Sequence, residues 1–154
     1  MQSDSWPSPE ACNCLALRQA ARHVTQLYDQ LLAPTGLRAT QFSILAKLRR
    51  LGPMTINALA RDLVMDRTTL GRNILPLQRE GLIAVVKGRA DRRSKELALT
   101  ETGLAKLRAA VDGWTAAQAR FETTFGDERA RELRGLLHAV SASDLGAADM
   151  SAEI

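Results

Sequence analysis

Apolar residues recur at helical spacing in six stretches of the chain, separated by residues that favour helix ends. Thr40, Thr55 and Asp66 are candidate N-caps of the second, third and fourth stretches, because their side-chain oxygens can accept hydrogen bonds from N-terminal backbone N–H groups. Pro34 and Gly52 interrupt the helical pattern after the first two stretches. The predicted helices span residues 12–33, 39–51, 56–63, 67–80, 101–125 and 127–142.

Between the fourth and fifth helices the period changes from helical to alternating. Residues 82–86 and 96–99 alternate apolar and polar side chains, which predicts two short antiparallel strands joined by a tip over residues 88–94. Within the fourth helix, Pro76 removes the hydrogen bond to the Arg72 carbonyl, so we expect a bend or early fraying there. The predicted fold class is mainly α with a small β-wing. Residues 12–142 form its domain, residues 1–11 a disordered N-terminus and residues 143–154 a flexible tail.

The fifth helix carries a heptad pattern, with apolar side chains in alternating steps of three and four that only Gln118 interrupts. Its members are Leu104, Leu107, Val111, Trp114, Gln118, Phe121 and Phe125. Packing against the first and last helices of the same chain is one explanation. We favour a second copy of the chain, because the terminal helices offer more apolar surface than one small domain can bury. The sequence therefore predicts a homodimer.

Charge is distributed unevenly along the chain. The net charge is +4, yet residues 38–95 hold 13 of the 21 Lys and Arg residues and only 4 of the 17 Asp and Glu residues. A basic middle between acidic ends indicates that the middle meets a polyanion, and nucleic acid is the usual one for a cytoplasmic protein. A polar N-terminus without an apolar run predicts no signal peptide, and no stretch is apolar enough to span a membrane. We therefore expect a cytoplasmic protein.

Two short helices, a turn and a cationic hairpin are typical of a winged helix-turn-helix that binds duplex DNA. The start of the second helix, DRTTLGRN, offers side chains to the major groove, and Gly71 lets its backbone approach closely. The hairpin tip can enter the minor groove, with Asp91 orienting the Arg93 guanidinium. At Thr55, backbone N–H groups can meet a phosphate. The predicted DNA contacts are Thr55, Arg67, Thr68, Thr69, Arg72, Asn73, Arg89, Asp91, Arg92, Arg93 and Lys95.

The runs ATQFSILAKL, TINALARDLVMDRTTLGRNILPLQREGLI and GRADRRSKELALTETG resemble the MarR family of winged-helix transcription factors. The wing signature of that family is matched by Asp91, Arg92, Arg93 and the run Leu99-Thr100 to Gly103. The resemblance implies a DNA-binding domain over residues 38–100 and dimerisation helices over 12–33 and 101–142. It also implies a pseudopalindromic operator and a repressor released by a small molecule or an oxidant.

The same resemblance implies an effector pocket near the dimer helices for a small aromatic or phenolic ligand. Ordinary core packing explains its candidate residues equally well. They are His23, Tyr28, Arg38, Gln41, Phe42 and Trp114. An alternative regulator of the same fold would sense oxidants through Cys12 and Cys14. Against an internal disulfide, side chains two residues apart in a helix point to different faces.

The sequence offers no set of residues for catalysis. It contains no Ser-His-Asp set, no paired-carboxylate signature, no glycine loop for phosphate and no metal-ligand spacing. We expect neither an enzyme nor a cofactor. A winged helix used for protein contact is the remaining alternative, but it gives no reason for arginines to gather on one side.

Overall fold

The computed structural model describes residues 6–146, and its elements follow the predicted ones closely. In chain order they are α1 (Asn13–Leu32), α2 (Ala39–Leu51), α3 (Ile56–Asp62), α4 (Arg67–Arg79), β1 (Ile83–Lys87), β2 (Lys95–Leu99), α5 (Glu101–Phe125) and α6 (Asp127–Ala142). The mainly α fold class with a small β-wing is confirmed.

The chain termini lie partly outside the described residues. Residues 1–5 and 147–154, to which the predictions of a disordered N-terminus and a flexible tail extend, are not described. Within the remainder, Pro9–Ala11 form a single 3-10 turn before α1, and the Ser143 N–H donates to the Val140 carbonyl after α6.

Side-chain caps fix where the central helices begin. Thr55 Oγ1 accepts a hydrogen bond from the Ala58 N–H at 3.2 Å, and Asp66 caps α4, as predicted for both helices. The predicted cap at Thr40 is wrong. Instead, the Ala39 N–H donates to Asp29 Oδ1 at 2.7 Å, so α2 begins on a carboxylate supplied by α1. A local sequence pattern could not show this bond because its partners are ten residues apart.

Pro76 does not end α4 early. The helix continues to Arg79, so the predicted fraying is wrong. Ile74 and Leu77, on either side of the proline, are both buried, and this packing holds the last turn in place although one intrahelical hydrogen bond is lost. The Glu80 N–H also donates to the Pro76 carbonyl at 3.0 Å.

The hairpin is tied to the helices on both sides. β1 and β2 pair antiparallel from Ile83 with Leu99 to Lys87 with Lys95. Met54, before α3, pairs with Leu97 on the other edge of β2, an added strand position that the sequence did not reveal. Thr100 closes the base of the hairpin. Its Oγ1 donates to the Gly81 carbonyl at 2.6 Å and accepts from the Gly103 N–H at 3.0 Å.

One apolar core joins α2, α3, α4 and the hairpin to parts of α1 and α5. Its fully buried side chains include Leu32, Ile44, Leu45, Leu59, Leu70 and Leu77. Two glycines let α5 come close to this unit: a Cβ at Gly103 would overlap the Leu82 carbonyl, and a Cβ at Gly113 would overlap the Leu31 carbonyl. The first ten residues of α1, by contrast, are nearly all exposed.

Contacts divide the described chain into two compact units, with the division after Ala117 in α5. In the second unit, Phe121 and Phe125 stack with their ring centroids 5.5 Å apart, and the Arg129 guanidinium lies 4.3 Å from the Phe125 ring centroid. Arg134 and Glu122 form an ion pair at 3.6 Å. Within residues 6–146, no helix combines the length and the apolar character that crossing a membrane requires.

Candidate nucleic-acid interface

A short turn sets α4 against α3. α3 buries Leu59 and Ala60, and Lys47 of α2 pairs with Asp62 at its end at 2.8 Å. Val64, in the turn, has φ +51°, a left-handed conformation that is unusual for a β-branched residue, and it is 71% exposed. The turn therefore joins two helices that contact each other directly, and α4 also contacts α2.

The outward face of α4 follows from its buried face. Leu70, Ile74 and Leu77 are buried, and at 100° per residue the opposite line of the helix runs through positions 68, 72, 75 and 79. All four side chains on this line are exposed: Thr68, Arg72, Leu75 and Arg79. Thr68 and Arg72 were predicted. Leu75 and Arg79 were missed, although their spacing of seven and eleven residues from Thr68 places them on the same line.

Thr69 and Asn73 are engaged inside the helix. Asp66 accepts both the Thr69 N–H, at 2.8 Å, and the Thr69 hydroxyl, at 2.6 Å. Asn73 Nδ2 donates to the Thr69 carbonyl at 2.9 Å. The hydrogen bonds from the Thr69 side chain and backbone lower the pKa of the Asp66 carboxyl. Among the described residues, the Thr68 and Arg72 side chains have no such partner, and Arg67 is exposed beside them.

Backbone hydrogen bonds fold the hairpin tip tightly. The Gly88 N–H donates to the Ser94 carbonyl at 2.9 Å, and both the N–H and the hydroxyl of Ser94 donate to the Asp91 carbonyl, at 3.1 and 2.7 Å. Gly88 is buried, and a Cβ there would overlap Ser94 Oγ and the Asp91 carbonyl. The sequence showed a turn here but not that only glycine fits position 88.

Asp91 orders the tip through backbone rather than through a guanidinium. Its Oδ1 accepts the Arg93 N–H at 2.9 Å, and no Asp91–Arg93 ion pair is present in the described chain. The predicted orientation of the Arg93 side chain by Asp91 is therefore wrong. A carboxylate two residues before an N–H is placed for this backbone bond. The cations of the tip and of the strand residues that flank it are all exposed: Lys87, Arg89, Arg92, Arg93 and Lys95.

One recess among the described residues includes a single predicted effector residue. A shallow, open recess of about 340 Å³ is lined by Asp29, Ala33, Gly36, Leu37 and Arg38, so Arg38 alone of the six predicted residues lines it. Phe42 and Trp114 stack with ring centroids 6.0 Å apart and planes 12° apart. Tyr28 packs on the core, while Gln41 accepts the Arg38 N–H and His23 is exposed on α1.

Both cysteines are exposed at the start of α1. Cys12 is the N-cap, with extended backbone, and its Sγ accepts the Leu15 N–H at 3.4 Å. Cys14 lies inside the first turn, and the two thiols are not bonded to each other. Between residues 6 and 146, no group of three or more His, Cys, Asp or Glu side chains is placed to hold a metal ion.

The family model described as MarR family matches residues 37–95. The chain is 33% identical over 85 residues to the uncharacterized HTH-type transcriptional regulator YwoH of Bacillus subtilis, a match that covers 55% of this chain and 61% of YwoH.

Solved structures of regulators match more of the chain. The M. tuberculosis transcriptional regulator MosR is 35% identical with a TM-score of 0.74, covering 88% of this chain and all of MosR. MosR in complex with DNA is 38% identical with a TM-score of 0.72, and the match covers 85% of this chain and 97% of the MosR chain. Bordetella bronchiseptica BpsR, whose structure concerns regulation of DNA binding by 6-hydroxynicotinic acid, is 25% identical with a TM-score of 0.77, covering 90% and 99%. These relatives are transcriptional regulators rather than enzymes, and together with the winged helix-turn-helix described above they show that the chain belongs to the MarR family of transcriptional regulators.

Proposed function

We propose that the protein is a homodimeric, cytoplasmic repressor that binds a pseudopalindromic operator in double-stranded DNA. Each protomer places the outward face of α4 in the major groove and the hairpin tip in the adjacent minor groove. The observation that carries this proposal is the placement of Thr68 and Arg72 on the side of α4 opposite its buried face, without partners among the described residues. The complex of MosR with DNA supports the same class of partner.

The electrostatics of the two elements suit a polyanion. The tip and the two strand residues that flank it carry five exposed cations, and the described residues supply no ion-paired acid to any of them. Because DNA binding releases counterions from each phosphate that a protein cation neutralises, affinity falls steeply as salt rises. Thr55, Arg67, Arg89, Arg92, Arg93 and Lys95 are proposed to contact the DNA backbone or the minor groove.

Thr69 and Asn73, which the sequence predicts as DNA contacts, are proposed to act within the protein instead. Their hydrogen bonds with Asp66 and within α4 hold the first turn of the helix rigid. This leaves Thr68 and Arg72 as the proposed base readers at the start of α4. Arg72 would donate hydrogen bonds to a guanine edge, and Thr68 would hydrogen-bond a base or contact a thymine methyl group.

The dimer is proposed from apolar side chains that the described chain leaves in solvent. Leu17 on α1, Val111 on α5, and Leu136 and Val140 on α6 are all exposed. The seam predicted on α5 is thus only partly used within the chain: Leu107 is buried, but Val111 is not. A second copy would cover these side chains and place two α4 helices on successive turns of the duplex.

The test is selection of bound duplexes from a library of random double-stranded DNA, followed by salt titration of the best binder. We expect a pseudopalindromic motif, and we expect the logarithm of affinity to fall linearly with the logarithm of the salt concentration. Arg72→Ala should relax preference at one base position in each half-site, whereas Arg22→Ala on α1 should leave the motif unchanged. Failure to enrich any duplex would contradict the proposed DNA binding. An unaltered motif with Arg72→Ala would contradict the proposed role of Arg72 as a base reader.

A small aromatic or phenolic effector is proposed to release the DNA. The stacked pair of Phe42 and Trp114 gives such a ligand apolar surface, and Arg38 at the recess offers a cation for a carboxylate or phenolate. BpsR, a regulator whose DNA binding responds to 6-hydroxynicotinic acid, supports this class of ligand. Titrating aromatic acids while measuring tryptophan fluorescence and DNA affinity tests it. Arg38→Ala is the variant that should lose the response.

Oxidation of Cys12 and Cys14 is the second candidate signal. Cys12 lies outside the helix with extended backbone, so the helical geometry that argued against an internal bridge does not apply at that residue. Both thiols are exposed and open to oxidant. DNA affinity measured with and without a hydroperoxide tests the idea. An unchanged affinity, or an equal response from a variant with Cys12→Ser and Cys14→Ser, would exclude it.

A further inference from the structure

The outward line of α4 contains one apolar side chain among polar and charged ones. Thr68, Arg72 and Arg79 are the polar and charged members, and Leu75 lies between the two arginines. Leu75 is 46% exposed and is absent from the apolar side chains that pack on the core. A single exposed leucine is ordinary on a protein surface, so its significance depends on its surroundings.

Those surroundings disfavour an apolar protein partner. Arg72 precedes Leu75 by three residues and Arg79 follows by four, so both guanidinium groups share its face of the helix. A protein surface that covered Leu75 would have to desolvate two cations. The major groove of DNA offers both chemistries, with phosphates for the cations and the thymine 5-methyl group for the leucine.

We propose that Leu75 contacts the 5-methyl group of a thymine in the major groove and contributes to operator specificity. This inference rests on the proposed DNA-binding function. Leu75 is seven residues beyond Thr68, which is roughly 10 Å along the helix at 1.5 Å per residue. At about 3.4 Å per base pair, that distance corresponds to roughly three base pairs. The thymine should therefore lie several positions from the base that Thr68 meets.

The experiment uses the full chain and the best duplex from the random library. Each thymine is replaced in turn by deoxyuridine, which removes only the methyl group and keeps base pairing. Dissociation constants are measured for wild type, Leu75→Ala and the matched control Leu51→Ala, whose leucine is 49% exposed at the end of α2. Circular dichroism and thermal unfolding confirm that each variant is folded.

One thymine in each half-site should carry the effect. There, deoxyuridine should weaken wild type and Leu51→Ala about fourfold, the contribution of one buried methyl group. Leu75→Ala should bind both duplexes equally, at about the affinity of wild type for the deoxyuridine duplex or below. A wild type indifferent to deoxyuridine at every position, or a thymine preference unchanged in Leu75→Ala, would overturn the inference. If no duplex is enriched at all, the proposed DNA binding has failed instead.

Discussion

The middle helices and the terminal helices of this chain use their apolar residues differently. α2 has 13 residues and buries Phe42, Ile44, Leu45 and Leu48, whereas α1 has 20 residues and buries only Leu32. α6 has 16 residues and buries only Ala130. The apolar side chains of the middle helices are covered by other parts of the same chain. The ends carry apolar surface that the described chain does not cover, and this is the physical basis for proposing that a second copy covers it.

The largest expected effect, on dimerisation and operator affinity, comes from placing charge on the exposed apolar residues of α6. Replacing Leu136 and Val140 of α6 by Glu should yield a monomer by light scattering, because carboxylates would be buried at the dimer contact. Since two linked half-sites reinforce each other, operator affinity should fall about 100-fold or more. Leu51→Glu, on the middle unit, should remain dimeric. A dimeric double variant would contradict the proposed role of α6.

Two glycines sharpen the difference in packing. Gly113→Ala should lower the free energy of unfolding by about 2 kcal/mol, because the new Cβ overlaps the Leu31 carbonyl of α1. Gly135→Ala, in α6 with nothing near its Cβ position, should instead raise it by about 1 kcal/mol through helix propensity. Denaturant unfolding measures both. Equal effects of the two substitutions would show that α1 and α5 do not approach as closely as described.

Arg93→Ala tests the DNA side of the middle region. We expect about tenfold weaker binding at low salt and a salt slope smaller by about one counterion, because one cation leaves the minor groove. Arg22→Ala, on the exposed half of α1, is the matched control and should change neither quantity appreciably. Affinity retained by Arg93→Ala at every salt concentration would remove the hairpin tip from the interface.

Lowering the pH should reduce the stabilising contribution of Asp66, the N-cap of α4. Because the pKa of Asp66 is lowered in the folded state, its stabilising contribution is present above the unfolded pKa of about 4 and is lost as pH falls through the folded pKa. Wild type should melt about one or two degrees above Asp66→Asn at pH 7. Thermal scans down to pH 3 should show that gap closing. A gap independent of pH would mean that the carboxylate charge contributes nothing.

Local patterns predicted most of the fold. Apolar spacing and breakers such as Pro34, Gly52 and Gly126 determine where helices lie, so the bounds of α2, α5 and α6 agree with the prediction. Contacts between distant residues were missed: Asp29 capping α2, and Met54 pairing with β2. Neither has a local signature, because each depends on how separate elements pack.

The interface was predicted by residue type more than by geometry. Clustered arginines and threonines identified the right elements, but spacing alone did not show that Asp66 and Asn73 engage Thr69 or that Asp91 bonds to backbone. Leu75 was overlooked because Pro76 made a straight second half of α4 doubtful. Its spacing of seven residues from Thr68 nevertheless places it on the outward line of α4.

The hydroxyl of Thr100 has a mechanical consequence. Through its two hydrogen bonds, it ties the end of α4 to the start of α5 at the point where the hairpin closes. A tilt at the start of α5 would therefore move α4 and the hairpin together. Under the proposed function, a signal need not deform α4 or the hairpin. A change in the distance between the α5 helices of the two protomers would move both α4 helices and both hairpins out of register with the grooves of the DNA.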